Sequence, residues 1–146
     1  MQRIASVFSL AALLLWMGCV AESDVQQLAP QRIGDHFQRS EKLDAGELFR
    51  DSLYPLHPNP FNSDAGDTSV VIEFTVGDTT RTIVLIQNAV GEEVVRFEDE
   101  TLSPGQYRAP WQPLSSEREP LRAGLYFVTF RTEHFVHSRT LSIQVN

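Results

Sequence analysis

The side chains with most capacity for chemistry are two histidines three residues apart, His134 and His137, two aspartates in one polar loop, Asp64 and Asp67, and three aromatic residues, Tyr107, Trp111 and Tyr126. On a strand, residues three apart point to opposite faces, so the histidines would share an ion only across a bulge. Solvated or edge-strand histidines are the expectation. The loop NSDAGDTS (residues 62–69) offers hydroxyl, carbonyl and carboxylate oxygens of the kind a hard cation takes. Calcium needs about six to eight such oxygens, and no bidentate glutamate stands nearby. A plain polar turn is expected there, with calcium at Asp64 and Asp67 left open. The aromatic trio could form a platform for sugar rings, but a small β-domain needs such bulk inside, so Trp111 and Tyr126 are expected in the core. No Ser, His and Asp constellation, cysteine nucleophile, glycine-rich phosphate loop or H-E-x-x-H helix occurs, so the chain is expected to be a non-enzyme without metal or cofactor.

The chain has one thiol, Cys19, which excludes an intramolecular disulfide. It ends a segment in which Arg3 is the only charge and residues 4–17 are an apolar run, the layout of an export signal. That run is shorter than the ~20 residues needed to span a bilayer, and none like it follows. In LLLWMGC, Gly18 and Cys19 resemble the lipobox of bacterial lipoproteins, whose cysteine carries the lipid. The alternative is ordinary cleavage after Ala21, with Cys19 and Ala21 as the small residues. Without residues 1–18, 11 basic residues stand against 19 acidic ones, a net charge of −8. That balance argues against nucleic acid.

Residues 19–52 are polar, their apolar side chains following neither helical nor strand period, and read as a flexible tether. A short helix over residues 40–53, capped by Ser40, would carry Gly46 at a cost of about 1 kcal/mol, so a spacer is preferred. From residue 53 the texture changes to short Val, Ile, Thr, Phe and Tyr runs punctuated by Gly, Pro, Asp and Ser. SVVIEFTV (69–76) alternates, with Val70, Ile72, Phe74 and Val76 on one face. TRTIVLIQ (80–87) is apolar on both faces, as in a strand covered on each side, and Gly91 then turns the chain into a hairpin with residues 92–97. Residues 54–61, 105–111, 124–132 and 135–145 complete about seven strands, the last two joined around Glu133 and His134. The expected fold is all-β, an immunoglobulin-like antiparallel sandwich over residues 53–146. Its core is expected to hold Phe61, Ile72, Phe74, Val84, Ile86, Val94, Trp111, Tyr126, Val128 and Ile143.

With the strands placed, the motifs line up with a family. LYPLHPNPFNS (53–63) resembles a Y-P-N-P-F-N signature, carried by Pro58, Asn59, Pro60, Phe61 and Asn62. NAVGEEV (88–94) resembles an N-x-x-G-x-x-V turn around Gly91. LSPG (102–105) followed by Trp111, then AGLYF (123–127) with Gly124 and Tyr126, and RTLSIQ (139–144) continue the series. In this order they resemble the C-terminal sorting domain of type IX secretion cargo proteins and the immunoglobulin-like domain of flagellar hook-capping proteins. Residues 112–122 depart from the family pattern after the tryptophan.

The resemblance implies a sandwich that addresses a protein to the outer membrane and cell surface. Combined with Cys19, it leads us to expect an exported, lipid-anchored envelope protein that interacts with envelope or secretion-machinery proteins. The acidic Glu22 and Asp24 after Cys19 are similar to surface-export signals of some lipoproteins. The alternatives are a secreted type IX client whose last domain is the sorting signal, and a carbohydrate-binding module.

Overall fold

A computed structural model describes residues 30–40 and 50–145. The signal, Cys19, Ala21, Glu22, Asp24 and most of the 40–53 segment lie outside the described residues. Alternating apolar residues make strands Val70–Val76 (β4), Thr80–Asn88 (β5), Glu93–Leu102 (β6), Gly105–Trp111 (β7), Gly124–Arg131 (β8) and Val136–Gln144 (β9). Three short strands precede them: Gln38–Ser40 (β1), Ser52–Leu53 (β2) and Phe61–Asn62 (β3). They form two sheets, β1-β7-β4-β2 and β3-β9-β8-β5-β6, facing each other as a sandwich. The all-β sandwich expected from the sequence is the fold observed.

Phe74 sits at the middle of the core, with its ring stacked on Phe130 at 4.8 Å and Tyr107 at 5.3 Å and tilted against Phe37 at 5.2 Å. Ile72, Val84, Ile86, Val128 and Leu141 are fully enclosed around it. The β5–β6 hairpin is closed by the Asn88 carboxamide, whose Oδ1 accepts from Val90 N (3.1 Å) and Glu92 N (2.9 Å). Gly91 completes the turn at φ 87°, a region β-carbons avoid.

Four expectations need correction. Nine strands are present among the described residues, and β3 runs parallel to β9, so the sheet it joins is mixed. The expected strand over 54–61 shrinks to β3 and a single bridge from His57 to Val71, because Pro55, Pro58 and Pro60 supply no N–H to a ladder. Val94 packs only partly against the core, and Val95 and Phe97 take the interior positions. A register shift between Ile86 and Gln87 inserts a bulge that reverses which residues point inward. Ile83 and Leu85 lie half-buried on the outer face of their sheet, with no second layer over them among the described residues.

The largest departure is in the supposed tether. Within residues 30–40, a single helical turn, Ile33–His36 (α1), is followed by β1, and Ile33 and Phe37 are buried in the core at 0% and 5% exposure. One turn of helix sets residues four apart on the same side, so both apolar side chains of this polar run enter together. Gln31 bonds the edge of β6, and Gln38–Ser40 pairs with Gln106–Arg108 on β7. The segment is thus a strap across the open flank between the two sheets.

Candidate interaction site

Residues 57–67 form a seam at the side of the sandwich away from the strap. Phe61 is buried against Ile143 at the start of β3, which fixes the path of the chain. The prolines keep the preceding residues extended, and the peptide bonds before Pro58 and Pro60 are both cis. Asn59 then lies beside β9, where its Nδ2 donates to Thr140 O (2.7 Å) and its Oδ1 accepts from Ser142 N (3.0 Å). One carboxamide thereby satisfies two groups that a neighbouring strand would otherwise bond.

Asn62 closes the seam. Its Oδ1 accepts from Asp64 N (3.0 Å) and Ala65 N (3.3 Å), and its own N–H donates to Asp67 Oδ2 at 2.8 Å. The loop weighed for calcium is therefore built as an Asx turn, with the Asp67 carboxylate committed to backbone. Among the described residues no three acidic, histidine or cysteine side chains converge as a metal site. His137 packs edge-on against Phe135 (6.0 Å), while His134 lies in the β8–β9 turn.

Tyr107, Trp111 and Tyr126 are at most 8% exposed, so the three rings offer no flat platform to a sugar. Tyr107 was the member not expected inside. Tyr107 Oη donates to Ser103 O (2.7 Å) and Tyr126 Oη to Arg122 O (2.9 Å), each reaching four residues back, as in the tyrosine corner of sandwich domains. Burial pushes both phenols above the ordinary tyrosine range, opposed by the Arg39 charge at Tyr107 and by the Arg122 charge at Tyr126. Gly124 starts the strand of Tyr126 at φ 155°, a value other residues rarely adopt.

Strands β4, β6 and β7 are closed at their edges by different means. On β6, Gln31 N donates to Arg96 O (2.9 Å), Glu98 N donates to Gln31 O (2.8 Å), and Ser116 Oγ donates to Val94 O (3.0 Å). The buried Asp99 carboxylate accepts from Gly34 N (2.9 Å) and Arg32 Nε (3.3 Å), which ties the strap to the same strand. On β7, Pro110 stands just beyond Arg108, the partner of the first residue of β1, and it has no N–H to leave open. On β4, Tyr54 N donates to Glu73 O and Val71 N to His57 O. Asp51 pins the start of β2, accepting from Gly77 N (2.8 Å) and Thr132 Oγ1 (2.6 Å).

Two clefts border the 112–122 loop. A cleft of about 520 Å³ has Phe61, Ile143, Leu114 and Leu121 among its walls, with Arg122 and Asp67 at its polar positions. The other, about 580 Å³, lies between the strap and Trp111 and includes His36, Gln31 and Arg118. Of the signature residues, Asn59, Phe61 and Asn62 meet at the seam, while Gly91, Trp111, Gly124 and Tyr126 serve separate turns and the core. Gln31, Asp51 and Asp99 gave no sequence signal, since each acts on backbone far along the chain. The strap's only signal was the Ile33 and Phe37 pair.

Seam, corner tyrosines and covered edges define a compact two-sheet β-sandwich domain with no convergent reactive side chains among the described residues. No family model matches the chain. No curated protein matches it. Two solved structures, both from Porphyromonas gingivalis, share its backbone course over part of its length. One is PorZ, a bacterial surface component of the type-IX secretion system, at 18% identity and a TM-score of 0.46, covering 64% of this chain and 11% of that one. The other is dimeric latent PorU, at 14% identity and a TM-score of 0.47, covering 71% of this chain and 10% of that one. The chain thus spans about a tenth of the length of either.

Proposed function

We propose that this is an exported, non-enzymatic protein of the cell envelope, anchored by lipid on Cys19 at the outer membrane or cell surface. Its sandwich serves interaction with envelope or secretion-machinery proteins. The observation that carries the reading is the placement of the sorting-domain-like motifs. The residues that resemble the family signature, Asn59, Phe61, Asn62, Gly91 and Tyr126, each hold a turn, a strand edge or a corner of this sandwich. A resemblance spread over residues 53–145 is thereby supported by local structural roles. Growth with a fatty-acid probe tests the anchor: label is expected on the native chain and lost in Cys19→Ser, and an unlabelled native chain removes it.

The same motifs favour a second reading, a type IX client whose sandwich is its address to the outer membrane. Because Ile33 and Phe37 belong to the core, the segment to fuse behind an exported reporter begins at Pro30. Surface display in a type IX-competent host supports this reading, and retention in the periplasm counts against it.

A further inference from the structure

Strand β9 is closed along only part of its length. Its even-numbered residues turn their N–H and C=O groups away from β8, as the bonds of Thr140 O and Ser142 N to Asn59 require. Pairing with β3 extends that cover to Ile143 and Gln144. Before Thr140 the cover stops. The N–H and C=O groups of Val136 and Ser138, and the N–H of Thr140, have no hydrogen-bond partner among the described residues. All three residues are exposed, Val136 at 62%. No proline, bulge or crossing segment blocks this stretch among the described residues, in contrast to β4, β6 and β7.

We propose that residues 136–140 of β9 are a docking edge for an extended strand of another protein that carries acidic side chains on one face. The proposal rests on the interaction reading above and gives it a place. A strand added here gains backbone hydrogen bonds, the usual mode of strand addition at an open edge. Its alternate side chains fall beside two unlike rows. On the outer face stand Val136, Ser138 and Thr140, which suit β-branched or small neighbours. On the other stand His137 and Arg139. Arg139 is held at the flank by its bonds to Leu53 O (Nε 3.2 Å, Nη2 3.1 Å) and forms no ion pair among the described residues. Arg131 lies across from Val136, and the acids at that end are Glu133 in the adjoining turn and Asp51, whose carboxylate is already held by Thr132 Oγ1 and Gly77 N.

These charges also select against a second copy of the chain. Antiparallel self-pairing centred on Ser138 would set His137 of each copy opposite Arg139 of the other, so neither guanidinium would meet a carboxylate. Acidic residues two apart on a foreign strand meet both groups favourably.

The test uses the full chain and a blocked, dye-labelled octapeptide alternating glutamate and valine. Binding is expected to slow amide hydrogen exchange at Val136 and Ser138. The same peptide with alternate amides N-methylated keeps its side chains but cannot pair, and should lose binding. A lysine and valine counterpart should bind about tenfold more weakly. Val136→Pro removes a solvent-facing donor at the first residue of an edge strand, a position proline tolerates, and should weaken the glutamate peptide. If that variant fails to fold, the N-methylated peptide on the native chain still decides. Absence of binding, or binding without protection at those amides, overturns the docking edge. Equal binding of the lysine peptide overturns the acidic preference, and a concentration-dependent dimer protecting the same amides assigns the edge to a second copy instead. Labelling at Cys19 is read independently, so loss of the anchor and loss of the docking edge are distinguishable.

Discussion

The two flanks of the sandwich differ in what meets their strand edges. Between β6 and β7, the strap drives Ile33 and Phe37 into the core and pairs backbone with both sheets. Between β9 and β2, Leu53, Leu56 and Phe61 are buried as well, but the strand edges are met by side chains: the Asn59 carboxamide on β9, the Arg139 guanidinium on Leu53 O, and Asp51 bridging two turns. Apolar closure contributes stability in proportion to area removed from water, whereas exchanging water for a protein partner at an exposed edge contributes little net energy. The buried pair of the strap should therefore contribute more to stability than the polar contacts of the seam, which govern what the edge can meet.

The sharpest way to break this contrast is Phe37→Ala. It removes a ring that touches both Phe74 and Phe97, and should destabilise by about 3–5 kcal/mol in urea unfolding. A loss under 1 kcal/mol would mean that the strap is not part of the cooperative unit. Asp99→Ala comes next, at about 1–3 kcal/mol, because it strips the buried acceptor from Gly34 N. Asn59→Ala on the other flank should cost only about 0.5–1.5 kcal/mol. Its clearer signature is faster hydrogen exchange at the Ser142 amide, with exchange in β6 unchanged.

The corner tyrosines compare the flanks by pH. Both are held neutral in the folded chain above the ordinary tyrosine value, so they ionise first in the unfolded chain. Their stabilisation is complete below pH ~10 and declines as pH rises from there through the folded values. Urea midpoints should fall between pH 9 and pH 11, and Tyr107→Phe should flatten that slope. The smallest effect expected is at Thr82, whose buried Oγ1 has no hydrogen-bond partner among the described residues. Thr82→Val should raise stability by up to about 1 kcal/mol, and a decrease would reveal a partner for the hydroxyl.

How much of this was legible in the sequence follows from the range over which each signal acts. Strand β4 was readable from alternation, β5 and β8 from their β-branched and aromatic runs, and the Asn88 to Glu92 turn from its glycine, because pleat and turn are local. Val94 was misplaced since a register shift between Ile86 and Gln87, set by the pairing of two strands, puts Val95 and Phe97 at the inward positions. The strap was read as spacer because two apolar residues in eleven make no period. Its burial depends on an open flank created by strands more than sixty residues later. The stiffness of HPNPFN was readable from its prolines. The task of Asn59 was not, because its partners at Thr140 and Ser142 stand 81 and 83 residues away.

The strap also sets how the domain would bear a load. Tension entering the chain at Pro30 meets the two backbone bonds of Gln31 to β6 before any strand of the sandwich. Behind them, Ile33 and Phe37 are seated as stops, and the Asp99 carboxylate grips the chain between them. A pull from the N-terminal side would be met by a small sacrificial catch, while the two sheets keep their register.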